Sequence, residues 1–300
     1  MSSDSMPDFY FYIIDLFRHT YTGMIVYNFF ELAILVAPYF VVSVFINVLL
    51  QRYFASKRFF PFSKNETLAI FIAAFIGLLS PLPTYIAVPL GISLLAAGLP
   101  FSAVAAFMVS SPLMNPGIFY LTWVQLGADI ALARVVSAFV LSLGAGFLTR
   151  FFMRKSSLPS FAAPEPKEAR PLWIEFGKSL IFLGRYFAIA IFLGAAVKAL
   201  VPAEAISRIL GARASMSLIV AVAMGVPFYS CGGAAIPLVR VLSEMGMSKG
   251  AVLAFFIAGP STKLETMYVY KSLLGFKIFI SYFIFMIAGA FLCGFVLARL

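Results

Sequence analysis

A chain of 300 residues that is 62% hydrophobic and 11% charged, with a mean hydropathy of +1.01, has too few polar groups to be a soluble domain of its size. Its net charge of +10 does not indicate nucleic acid, because Lys and Arg sit in short loops between apolar runs, where they report membrane orientation. Cys231 and Cys293 have no ligand spacing and His19 is the sole histidine, so no metal site, disulfide framework, cofactor or catalytic triad is expected.

In chain order, residues 1–28 mix Asp4, Asp8, Asp15, Arg18 and His19 with aromatics, which predicts an interfacial helix rather than a span. The N-terminus lacks a basic region followed by a cleavable apolar stretch, so no removable signal peptide is expected. Glu31 opens an apolar run to about Leu50, and Pro38 should kink it. Arg52, Lys57, Arg58 and Lys64 then mark a cytoplasmic loop. A helix over 66–80 is stopped by Pro81 and Pro83, and the short run 84–97 fits either a tilted short helix or a re-entrant segment. The run 102–125 is broken at Ser111-Pro112-Leu-Met-Asn115-Pro116-Gly117, and 131–148 closes a first membrane unit, 29–150. Residues 151–173 are polar and Pro-rich, and predict a cytoplasmic linker. Apolar runs over 176–200, 214–226, 232–244, 250–271 with a break at Pro260, and 278–297 form a second unit, 174–300.

The second unit repeats the first. Shifting the chain by 148 positions pairs Gly77 with Gly225, Pro89 with Pro237, Gly98 with Gly246, Pro112 with Pro260 and Gly127 with Gly275. Over 77–127, 14 of 51 positions are identical, where apolar composition alone gives roughly four or five. With both basic loops cytoplasmic, each repeat has an odd number of crossings and must invert. The fold expected is therefore an all-α polytopic membrane protein of two inverted repeats of about 148 residues, with broken or re-entrant helices and roughly eight to ten membrane segments.

The motifs CGGAAIPLVR at 231–240, GMSKGA at 246–251, LAFFIAGPST at 253–262 and SSPLMNPGI at 110–118 resemble the bacterial predicted-permease family that includes the organoarsenical efflux permeases (ArsP, YraQ-like). That resemblance implies a polytopic inner-membrane permease, with efflux of organoarsenicals or related metalloids among its functions. Members often carry a Cys-Ser-Cys-Gly string, whereas this chain reads Tyr229-Ser230-Cys231-Gly232. One thiol can touch a trivalent arsenical but cannot chelate it.

The paired breaks are the expected substrate pathway: Ser111, Pro112 and Asn115 in the first unit, and Pro260, Ser261, Thr262, Lys263 and Glu265 in the second. Discontinuous helices expose backbone groups and helix ends where inverted-repeat transporters bind their cargo. The bland alternative is that these prolines only kink packed helices. Cys231 joins this set beside Gly232 and Gly233, whose missing side chains allow close approach, although a lone membrane cysteine is often packing. Lys263 and Glu265 diverge by about 200° on an undistorted helix, so they pair only if Pro260 unwinds the chain. Arg185, Arg240 and Glu244 are charges for coupling or structure: Arg240 and Glu244 can meet at i,i+4, and Arg185 is expected in a buried pair. Glu31, Asp129 and Arg134 are expected to anchor helix ends at the interface. No phosphate-binding G-x-x-x-x-G-K-[ST] occurs, so ATP-driven pumping by this chain and enzymatic activity are not expected. The expected partners are a small-molecule substrate and the lipid bilayer, with no nucleic acid. The reading admits a homo-oligomer, and a passive channel or a transporter of a small anion unrelated to arsenic is the rival.

Overall fold

In a computed structural model of the chain, every element among the described residues is helical and none is a strand. The structure describes residues 20–56, 65–80, 82, 87, 90–91, 94–95, 98–152, 171–211, 214–225, 233–262, 267–268, 270–271 and 275–299. In order, the helices are α1 (Tyr21–Ser56), α2 (Glu66–Leu79), α3 (Phe101–Leu113), α4 (Pro116–Leu126), α5 (Ala128–Phe152), α6 (Leu172–Leu200), α7 (Ala203–Leu210), α8 (Ala214–Gly225), α9 (Ile236–Glu244), α10 (Lys249–Ser261) and α11 (Phe276–Leu297). The linker 153–170, the basic loop 57–64 and most of 83–97 lie outside the described residues.

Local chemistry sets these boundaries. Asn65 caps α2 by accepting from the Thr67 amide at 3.0 Å, and Ser248 caps α10 by accepting from the Ala251 amide at 3.3 Å. One difference from expectation is at the N-terminus: α1 begins at Tyr21, so residues 21–28 belong to this long helix, not to a separate interfacial one. No breaker separates Tyr21 from the apolar run, and Pro38 is carried inside the helix.

Four helices are long and apolar enough to cross a bilayer, namely Tyr21–Leu49, Ala128–Phe151, Leu172–Leu200 and Phe276–Leu297, and the bent pair α3–α4 makes up to five. The sequence reading of eight to ten segments counted half-length helices as well. Proline breaks leave Glu66–Leu79, Met216–Gly225 and Lys249–Ser261 each too short for an upright span. The outer surface carries large apolar side chains: Ile34 is 75% exposed, Trp173 73% and Phe151 79%. An apolar exterior of this extent suits hydrocarbon rather than water.

The 148-residue register reappears in the helix ends. α2 and α8 start at 66 and 214, α3 and α10 cover 101–113 and 249–261, and α5 and α11 start at 128 and 276. The positive-φ residues described are Gly98, Gly127, Gly246 and Gly275, at +95°, +94°, +100° and +87°, two pairs in the same register. Close packing recurs too. A Cβ on Gly146 would lie 2.6 Å from Ile70, 3.1 Å from the Ser102 carbonyl and 3.3 Å from Ala106, while one on Gly294 would lie 2.7 Å from Leu218, 2.7 Å from the Gly250 carbonyl and 2.9 Å from Ala254. Each residue in the second set is the first shifted by 148. Between the units, Phe40 of α1 stacks on Phe187 of α6 at 3.9 Å, and a Cβ on Gly289 would meet Leu141, the residue 148 positions before it.

Gly127 supplies the one residue between α4 and α5 and Gly275 caps the start of α11, both with ψ of 165° that L side chains disfavour at positive φ. Around Gly275 a Cβ would find open space, so Gly275→Ala isolates backbone strain. It should cost about 1–3 kcal/mol, read as a fall in the unfolding midpoint of purified protein.

Candidate functional site

The first break is a two-residue gap in the helix. Met114 (φ −149°, ψ 145°) and Asn115 (φ −155°, ψ 167°) are extended between α3 and α4, whose axes differ by 40°. Pro112 closes α3 and Pro116 opens α4, where its missing N–H costs nothing. Asn115 is buried and its Oδ1 accepts from the Ile118 amide at 2.9 Å, so its side chain restarts the helix. Ser111, also buried, donates to the Leu82 carbonyl at 3.0 Å and the Ser80 carbonyl at 3.4 Å, tying the break to the end of α2. On the other side, Ser43 of α1 donates to the Gly117 carbonyl at 2.9 Å, an approach that a side chain on residue 117 would prevent.

The second break follows α10, which ends at Pro260-Ser261-Thr262, all buried. Ser261 and Thr262 each donate to the carbonyl four residues back, at 2.6 and 2.8 Å, in the last helical turn. Lys263 and Glu265 lie outside the described residues, as do Cys231 and Gly232. Gly233 is described, and faces α4: a Cβ there would lie 3.6 Å from Ile118 and 3.8 Å from Leu121. Part of the second unit's loop therefore rests on the turn that Asn115 caps.

The charges depart from expectation in two places. Arg185 is exposed on α6 and pairs with no described residue, so the buried pair expected for it does not form among them. Its helix position fixes depth, not the face it occupies, and this face is outward. Arg134, expected as an interface anchor, is instead 3% exposed. Its Nη1 donates to Thr122 Oγ1 at 2.7 Å, its guanidinium lies 4.0 Å from the centre of the Phe256 ring, and Thr122 in turn donates to the Ile118 carbonyl at 2.7 Å. A cation on α5 is thereby linked to the first turn of α4 and to α10 of the other unit. Sequence reasoning named this residue only as an anchor and missed its burial, although a charge six residues inside an apolar helix was the available signal.

Arg240 and Glu244 meet as expected, at 2.9 Å on α9. Arg240 also donates to the side-chain oxygen of Gln125 on α4, joining the units. Asp129 at the start of α5 pairs with Lys249 at the start of α10, and Lys198 pairs with Glu31 at 3.0 Å. Among the described residues, Asn47 Oδ1, Ser80 Oγ and Gln125 Nε2 are buried with no hydrogen-bond partner. Asn47 adjoins Gly117 and Ser80 adjoins Ser111, so unmet polar demand gathers around the first break. Each such atom costs about 1–3 kcal/mol, which a polar solute passing there would relieve. No group of three or more metal-ligating side chains occurs among the described residues.

A cavity of about 470 Å³ opens between α3 and α5 of the first unit and α11 of the second. Its exposed end carries Lys277 and Ser281, and its buried end Met108 and Tyr270. Tyr270 donates to the Met108 carbonyl at 3.4 Å and stacks on Tyr282 at 4.0 Å. Tyr282 stands next to Ser261, which places the cavity wall against the end of α10.

Residues 19–299 match the family described as a predicted permease, ArsP_1. The chain is similar to the UPF0718 protein YcgR of Bacillus subtilis, 23% identical over 77% of this chain and 82% of that one. It is also similar to the UPF0718 protein MJ0584 of Methanocaldococcus jannaschii, 25% identical over 36% of this chain and 30% of that one, so it spans under a third of that relative's length. No solved structure matches the chain.

Proposed function

Since the chain belongs to the ArsP_1 predicted-permease family, we propose that it moves a small solute across the bacterial inner membrane by alternating access. The halves, 29–150 and 174–300, are inverted repeats joined by the linker 151–173, and rock about a site between the two Pro-containing breaks. The observation that carries this reading is the recurrence of α3 and α10 in one register, each ending in a proline turn with buried hydroxyls. The unsatisfied polar atoms around Met114 and Asn115 support the same place. Cys231, Lys263 and Glu265 complete the pathway, with Lys263 or Glu265 coupling transport to the proton gradient. Efflux of organoarsenicals is the first cargo to test.

The test is uptake of trivalent methylarsenite into everted vesicles under an imposed proton gradient, for the native chain, Cys231→Ser and Lys263→Ala. Saturable uptake that falls by roughly tenfold or more in either variant is the expected result, the effect of about 1.4 kcal/mol of lost differential contact. No uptake above empty vesicles would remove arsenic and direct the search to anionic cargo. Uptake that neither saturates nor follows the gradient would indicate a channel.

A further inference from the structure

The lining of the open cavity has a counterpart in the same 148-residue register, and two residues of that counterpart are joined by an ion pair. Phe101, Met108, Tyr270, Lys277 and Tyr282 line the cavity. Shifted by 148, they become Lys249, Phe256, Thr122, Asp129 and Arg134. They make two groups of contacts: Asp129 pairs with Lys249, and Arg134 bridges Thr122 and Phe256, much as Tyr270 touches Met108 and Tyr282 in the open face. Bulk alone does not close this face, because Thr122 is smaller than Tyr270 and Asp129 smaller than Lys277. The Asp129–Lys249 ion pair is what sets it apart.

We propose that the face around Asp129, Arg134 and Lys249 is the shut form of the open cavity, latched by the Asp129–Lys249 ion pair, and that the two faces alternately admit an organic anion with an apolar body. This rests on the alternating-access reading and adds to it a latch and a cargo class. The cargo class follows from the lining. Among the described lining residues, the open face sets the cation Lys277 at the exposed end of walls built from Phe101, Met108, Ile278 and Phe285. When its latch parts, the other face presents Lys249 beside Asp129, with the Arg134 guanidinium behind them over Phe256. An apolar body fills the walls and an anionic head meets the cation on either side. The latch suits a gate because it is weak. Asp129 and Lys249 are 52% and 67% exposed at their side chains, so breaking the pair shifts an equilibrium by no more than about fivefold.

The experiment labels a cysteine at Ser281, in the open face, or at Ala133, its counterpart, with an impermeant maleimide applied to right-side-out and to everted vesicles. Labelling is read at each residue by mass spectrometry, so the native Cys231 and Cys293 stay in place. Ser281→Cys should react from one side and Ala133→Cys, weakly, from the other. Adding Asp129→Ala should raise Ala133→Cys labelling roughly threefold and lower that of Ser281→Cys, and the exchanged pair Asp129→Lys with Lys249→Asp should restore the native ratio. The probe 2-naphthalenesulfonate should protect Ser281→Cys, whereas neutral 2-naphthol should not, and Lys277→Ala should abolish the protection. Opposite-side labelling that ignores Asp129 would overturn the latch while leaving alternating access standing. Equal protection by 2-naphthol would overturn the anionic cargo. Both cysteines reacting from both sides in every variant would sink alternating access itself, and the latch with it.

Discussion

Arg134→Met should leave the protein as stable as the native chain, or more so, while transport falls by at least about tenfold. Taking a guanidinium out of water is costly, and buried ion pairs replaced by well-packed apolar residues of similar volume are often neutral or stabilising by about 1–4 kcal/mol, a result carried over here to a cation whose contacts include a hydroxyl and a ring. Methionine can pack against the Phe256 ring, and Thr122 keeps its bond to the Ile118 carbonyl, so the exchange does not strand that hydroxyl. What it removes is the link between α5, the first turn of α4 and α10. Arg134→Ala should instead lose stability, about 2–4 kcal/mol, because it adds a cavity. Arg134→Lys should recover little transport, since an ammonium cannot reproduce a planar group that bonds Thr122 while lying over a ring. Unfolding midpoints and vesicle uptake measured on the three variants separate the outcomes. Arg134→Met with native transport would make this cation a spectator.

Gly294→Val should cost more than any change at an open glycine, about 3 kcal/mol or more, and is expected to lower the yield of folded protein. Two of the atoms that crowd this position, the Gly250 carbonyl and Ala254, belong to or sit directly on the backbone of α10, so α11 must move away as a unit. Gly146→Val should behave alike, because Ile70, the Ser102 carbonyl and Ala106 crowd it in the same register. Gly177 and Gly184 on α6 are the controls, since a Cβ at either finds nothing within 4 Å. Valine there should change stability by no more than about 0.5–1 kcal/mol. Thermal unfolding in detergent reads all four. Equal costs at Gly294 and Gly184 would show that helix crossing does not depend on these close approaches.

Punctuation was legible in the sequence, and contact was not. Two prolines and a glycine within 111–117 located the α3–α4 break because proline denies the helix its hydrogen bond whatever surrounds it. The i,i+4 spacing of Arg240 and Glu244 foretold their pairing for the same local reason. Arg134 and Arg185 went the other way, one buried and one exposed, because hydropathy places a charge along a helix without saying which face meets a neighbour. These helices are nearly apolar all round, so periodicity has no polar stripe to detect. The cavity and the Asp129–Lys249 pair join residues far apart in the chain, and no single-chain spacing encodes them.

The single residue at Gly127 makes α4 and α5 behave as a bell crank. With α4 ending at Leu126 and α5 starting at Ala128, there is no slack by which one helix could slide while the other stays. Arg134 fastens the two arms again nearly two turns into α5, through Thr122. Any tilt of α5 is thus delivered to the far end of α4, and the compliant pivot left to absorb it is the extended pair Met114–Asn115. Work done at one end of α5 would be felt as rotation at the α3–α4 break.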